Sequence, residues 1–141
     1  MKVALEKDLL KLSNGRDYQY YAPWLNVLLV SNHNVGKSTR CYIDTGATVT
    51  IFPSEYAYAH LGYSTKSLKR GELINLYGLG GAKAVGYGHM CSIHHPDFQI
   101  KNVMIYFVEN QPYPLLGRIS FMDRFKRIVF EEENKFIEFF Q

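Results

Sequence analysis

One mainly-β domain with two short helices is the fold class that this sequence of 141 residues predicts, and three observations carry that reading. Eleven Tyr and nine Phe, with many β-branched residues beside them, suit pleated and half-buried surfaces. Turn dipeptides punctuate the chain at short intervals. Only two stretches carry a helical signature. The length suits one compact domain and is too short for two of ordinary size. With 47% hydrophobic and 21% charged residues, neither a disordered tail nor a collagen-like chain is possible. A net charge of +3 falls far short of the dense positive patch that nucleic-acid binding uses.

The elements follow in order. Asn14-Gly15 is a tight-turn pair after the apolar segment Leu9 to Leu12. Trp24 to Val30 is an apolar run of strand length, followed by the polar loop Ser31 to Arg40 and a second buried strand, Cys41 to Ile43. Pro53 to Leu61 reads as the first helix, with Pro where an opening turn tolerates it and Gly62 just past the end. Leu73 to Ile93 is a candidate hairpin turning within Gly78-Leu79-Gly80-Gly81, and Val103 to Val108 is a further buried strand. The second helix is expected over Ile119 to Arg127, where Ile119, Met122 and Phe125 share one face. Ile128 to Phe130 and Phe136 to Phe140, flanking Glu131 to Lys135, read as a terminal hairpin.

The segment that carries chemistry is Tyr42-Ile43-Asp44-Thr45-Gly46-Ala47-Thr48-Val49-Thr50. A carboxylate ends an apolar strand and is followed at once by a small hydroxyl residue and a glycine. Gly46 allows a sharp turn and close backbone approach, and the Thr45 hydroxyl can tie the turn to a neighbour. One carboxylate alone is a poor hydrolytic catalyst. Two held about 3 Å apart cannot both ionise, so they share a proton and divide the roles of base and acid; aspartic proteases are the reference case. Asp8, Asp17, Asp97 and Asp123 are not followed by Thr-Gly or Ser-Gly. A second copy of the loop must therefore come from a second chain, which predicts a two-fold homodimer with the active site on its axis.

Asp44-Thr45-Gly46-Ala47 resembles the signature of the retropepsin-like (retroviral-type) aspartic proteases. Tyr77-Gly78-Leu79-Gly80-Gly81 resembles that family's glycine-rich flap, and Pro114-Leu115-Leu116-Gly117-Arg118 resembles the apolar strand ending in Gly-Arg before its C-terminal helix. The Asp-Thr-Gly tripeptide is weak evidence by itself; three parts in the family's order are much stronger. The resemblance covers about residues 20 to 127 and leaves a C-terminal hairpin over 128 to 141. It implies a retropepsin-like closed β domain that acts as a two-fold homodimer. It further implies an aspartic endopeptidase with Asp44 of each chain as the catalytic pair, supported by Thr45, Gly46 and Ala47. Tyr77, Gly78, Leu79, Gly80 and Gly81 would then cover an extended peptide or protein substrate, Gly117 and Arg118 would be structural, and neither cofactor nor metal would be needed.

The chain departs from the viral pattern in three places. Thr48 and Val49 stand where viral enzymes carry two acidic residues, one of which meets the Arg of the Gly-Arg pair. Ile119 replaces the Asn or Asp after Gly-Arg, and residues 128 to 141 extend past the usual helix. These departures point to the alternative, a catalytically inactive dimerisation or peptide-binding module of the same fold.

Other features read blandly. Asn34-Val35-Gly36-Lys37-Ser38 lacks the first glycine of a phosphate loop, since Ser31 occupies that place, and it leads into a strand. His89, Cys91, His94 and His95 do not repeat at metal-ligand spacing, so no metal site is expected. Lys66, Lys69 and Arg70 read as a solvated loop and Glu131 to Glu133 as a solvated turn. Two cysteines make no disulfide framework, no apolar run reaches the roughly 20 residues of a membrane span, and the first twelve residues lack a signal-peptide pattern. A reduced, cytoplasmic protein is the expectation.

Overall fold

A computed structural model describes residues 1–141. Strand β1 (Lys2–Ala4) precedes a two-stranded ribbon of β2 (Glu6–Lys11) and β3 (Asp17–Ala22), which turns at Asn14-Gly15 as the dipeptide predicts. Asn14 Oδ1 accepts the Arg16 N–H at 2.9 Å there. Next comes β4 (Trp24–Ser31), in which Leu25, Val27 and Leu29 are buried. The polar loop beyond it contains a short strand, β5 (Asn34–Val35), folded back through Asn32 and His33 at φ 48° and 67°. Strands β6 (Thr39–Ile43) and β7 (Ile51–Pro53) flank the Asp44 loop.

Helix α1 (Ser54–His60) forms where Pro53 and Gly62 predict it, and Gly62 takes the left-handed φ of 74° that ends it. A one-turn helix, α2 (Thr65–Leu68), occupies the stretch read as a solvated loop. Its cause is local: the Ser64 hydroxyl accepts the Ser67 N–H, the Ser67 hydroxyl accepts the Ser64 N–H, and Leu68 is buried. Strands β8 (Glu72–Tyr77) and β9 (Lys83–His95) make the glycine-tipped hairpin, and β9 continues through a tight turn into β10 (Phe98–Val108). Two residues, Leu115–Leu116, form β11.

Strands β4, β6, β11, β7, β10 and β9 hydrogen-bond in that order, and β4 pairs again with β9, closing a six-stranded barrel. Its interior holds Leu29, Ile43, Phe52, Ile93, Ile105, Phe107 and Leu116, each at most 2% exposed. The fully buried side chains make this core the main source of stability, at about 1.5–3 kcal/mol each relative to exposure.

No helix forms over Ile119 to Arg127, which corrects the sequence expectation. Ser120 sits at φ 77° with its hydroxyl donating to the Met104 carbonyl at 2.8 Å, and an α-helix cannot pass through that conformation. The Met122 and Asp123 N–H groups reach back five residues, to the Gly117 and Arg118 carbonyls, and a short 3₁₀ turn over Met122–Arg124 follows. Packing explains the choice. Phe121 is fully buried among Phe98, Phe125 and Phe139, with ring centroids 5.4–6.0 Å apart, whereas Ile119 is half exposed. The chain then enters β12 (Arg127–Glu131) and β13 (Phe136–Phe140), the anticipated terminal hairpin. With β1 these make a three-stranded sheet in the order β1-β13-β12, and Ile137 and Phe139 pack into the main core.

Candidate active site

The Asp44 loop is built by crossing two segments. β11 lies between β6 and β7, parallel to β6 and antiparallel to β7, so the chain from Asp44 to Thr50 arches over the end of β11. Backbone bonds fix the crossing: Asp44 N–H to Leu116 O at 3.0 Å, Arg118 N–H to Ala47 O at 2.9 Å, and Ile119 N–H to Thr48 O at 2.8 Å. Asp44 Oδ1 accepts the Gly46 N–H at 2.8 Å, which aims the carboxylate by its own loop. Asp44 is half-buried, and its N–H and C=O are both spent, the latter on Ala47 N–H at 3.2 Å.

Asp44 opens onto a cleft of about 990 Å³ between this loop and the β8–β9 hairpin. Gly46, Ala47, Tyr77, Gly78, Leu79 and Leu115 line it too, so the structure brings together all three segments singled out in the sequence. At the hairpin tip Gly80 and Gly81 take φ 70° and 78°, in open space, and Gly78 N–H bonds to Ala82 O at 2.7 Å. These two glycines shape the turn without lining the cleft. Leu79 is wholly exposed and Tyr77 72% exposed, so the hairpin presents an apolar tip over the cleft mouth. Asp44 is the one carboxylate lining the cleft and Lys83 its one cation.

Thr45 and Arg118 border a different hollow, together with Ile119 and Met122. Arg118 forms no ion pair within the chain. With Thr48 and Val49 after Ala47, no acid stands where one would meet it. Gly117 is structural in a strict sense: a Cβ there would lie 2.1 Å from the Val49 carbonyl oxygen.

Sequence reasoning missed Thr50. Its buried hydroxyl donates to Ile119 O at 2.9 Å and accepts the Gly117 N–H at 3.1 Å, clamping the crossing from below. A lone Thr at the start of an apolar strand carries no signal of this. Thr50→Val keeps the shape and strands both partners, so unfolding free energy should fall by about 1–3 kcal/mol in a denaturant titration. Also missed were Ile51, Ile74 and Val108, which with Leu115 give the cleft apolar walls.

The histidines and cysteines have separate occupations. His89 Nε2 meets the Leu68 carbonyl at 2.7 Å, His94 meets Gln99, and His95 stacks on Phe98 at 4.8 Å. Burial pushes the Cys91 thiol up to about 11 and the Cys41 thiol further, so both stay protonated and unreactive at neutral pH. No helix is long and apolar enough to cross a membrane.

This barrel, with its arched Asp-Thr-Gly loop facing a glycine-tipped hairpin, is the retropepsin-like fold. A retropepsin-like aspartic protease from Rickettsia conorii superimposes with a TM-score of 0.65 over 99% of this chain and 89% of that one, at 16% identity. The EIAV protease complexed with the inhibitor HBY-793 gives 0.50 over 69% of this chain and 82% of that one, at 20% identity. A retroviral protease-like domain of Ddi1 from Leishmania major gives 0.47 over 84% and 95%, at 15% identity. No protein-family profile and no curated sequence matches the chain.

Proposed function

We propose that the protein is an aspartic endopeptidase in which Asp44 of each of two copies forms the catalytic pair. The observation that carries this reading is a single carboxylate, oriented by its own Asp-Thr-Gly loop, at the floor of a cleft sized for an extended peptide. Two such carboxylates about 3 Å apart share one proton. The ionised one takes a proton from a bridging water as it attacks the scissile carbonyl. The protonated one hydrogen-bonds the carbonyl oxygen, and no metal enters the step.

The hairpin tip at Tyr77 to Gly81 acts as a flap that closes over the peptide and sheds bulk water. Cleft walls of Val49, Ile51, Ile74, Val108 and Leu115, with neutral Thr48 beside them, favour apolar residues flanking the cleaved bond. Turnover of a peptide library, read across pH, tests the reading. Cleavage should be greatest at acidic pH and decline as pH rises and the pair loses its shared proton, because the two carboxylates titrate as a unit. A rate that climbs past neutrality overturns the mechanism. Pepstatin, which mimics the tetrahedral intermediate, should raise the melting temperature at that acidic pH. No cleavage together with no thermal shift is the result expected of the inactive, peptide-binding alternative.

A further inference from the structure

We infer that the protein selects peptides carrying an acidic residue beside their apolar centre, and that Lys83 of the β8–β9 hairpin reads that residue. This rests on the reading of the cleft as the seat of an Asp44 pair, and it adds a charge to the substrate class that the apolar walls define.

Two observations carry it. First, the charges of the cleft are divided between its two sides. Asp44 belongs to the loop side and Lys83 to the hairpin side, and the polar side chains between them, Thr48, Asn75 and Gln111, are neutral. A peptide lying between loop and hairpin therefore meets negative charge only at the scissile bond, where two carboxylates sharing a proton carry about one unit. Away from that bond the fixed charge is positive. A substrate carboxylate there meets no repulsion, and a substrate cation finds no partner, since Thr48 and Val49 supply no acid.

Second, Lys83 has its charge to give. It is exposed and takes part in none of the ion pairs of the chain. Its register partner across the ladder is Tyr77, and its ammonium lies 5.9 Å from the centroid of that ring. That distance is at the outer limit of cation–π attraction, so the ring steers the ammonium without neutralising it. An exposed ion pair is weak because water screens it. A hairpin that closes over a peptide removes that water, and the pair strengthens as the local dielectric falls. In a two-fold arrangement each copy supplies one Lys83, so the acid preference falls on both sides of the cleaved bond.

Peptides of one apolar core, with Glu, Gln or Lys placed in turn at each position near the cut, test this by their kcat/KM at about pH 6, where Glu is ionised. At one position on each side the order should be Glu, Gln, Lys, with Glu at least about fivefold above Lys. Lys83→Glu should invert the order, and Lys83→Met should remove the Glu advantage. Below about pH 4 the advantage of Glu over Gln should vanish as the substrate carboxyl takes a proton, while Gln stays ahead of Lys. A lysine that merely keeps the hairpin soluble would move none of these ratios. Cleavage without charge preference, or a preference that Lys83→Glu leaves unchanged, overturns the inference and leaves the protease reading. The same peptides are titrated against Asp44→Asn by fluorescence anisotropy. Affinities in the order Glu, Gln, Lys, with no cleavage by wild type, remove the protease reading and keep the acid selection. Neither binding nor cleavage of any peptide removes both.

Discussion

Asp44→Asn should abolish peptide cleavage, by more than about 10³-fold, and leave the fold and the dimer intact. The loss follows from removing the groups that transfer protons, which contribute about 10²–10⁴-fold for one positioned acid or base, and here both positions change at once. The fold survives because the amide oxygen of Asn can still accept the Gly46 N–H that Asp44 Oδ1 accepts at 2.8 Å. The backbone bonds of the loop, Asp44 N–H to Leu116 O and Ala47 N–H to Asp44 O, do not involve the side chain.

The same variant separates a shared pair from a chain that acts alone. When wild-type and Asp44→Asn chains are mixed equally and allowed to exchange, only about one dimer in four carries two aspartates under random association. Activity per wild-type chain should then fall to about half, so the mixture retains about a quarter of the activity of the same total of wild-type chains. Activity that declines in direct proportion to the wild-type fraction would mean each chain is complete in itself. A mutant that keeps turning over peptide would remove Asp44 from the mechanism altogether.

The parts of the fold legible in the sequence are those fixed by local physics. Asn14-Gly15, the Pro53 to Gly62 helix and the glycine-tipped hairpin each depend on residues adjacent in the chain, and each forms where it is expected. The Asp44 loop was legible as a candidate site because Asp-Thr-Gly, weak evidence alone, ends an apolar strand and is followed in order by the glycine-tipped hairpin and Gly117-Arg118. The Ile119 to Arg127 segment was not, since its helical spacing competes with a distant demand. Phe121 fills a hole between Phe98 and Phe139, and Ser120 twists into a left-handed conformation to place it there. Leu68 and the Ser64–Ser67 exchange make α2 out of a stretch whose exposed lysines suggested only solvent. Thr50 and the apolar cleft walls come from strands that meet only after the barrel closes, so no window of sequence contains them together.

Gly117→Ala should be the most damaging small substitution in the molecule. The added Cβ would stand 2.1 Å from Val49 O, 2.6 Å from Val49 C and 2.9 Å from Ala47 O. All three are backbone atoms, so no side-chain rotation relieves the collision, and the two crossing segments must separate by about an ångström to reach ordinary contact. That separation strains the Arg118–Ala47 and Ile119–Thr48 bonds and the Gly117 N–H held by Thr50. Overpacking plus lost buried hydrogen bonds together exceed about 4 kcal/mol, a large share of the 5–15 kcal/mol by which a domain is stable. The melting temperature should fall by more than about 10 °C, and any folded remainder should lose about 10²-fold in cleavage, because the same crossing positions Asp44. Gly80→Ala is the matched control. It meets open space and pays only for its φ of 70°, about 1–2 kcal/mol, at a hairpin tip that can give way. If the two variants melt together, the loop crossing is not the rigid platform on which the Asp44 geometry depends.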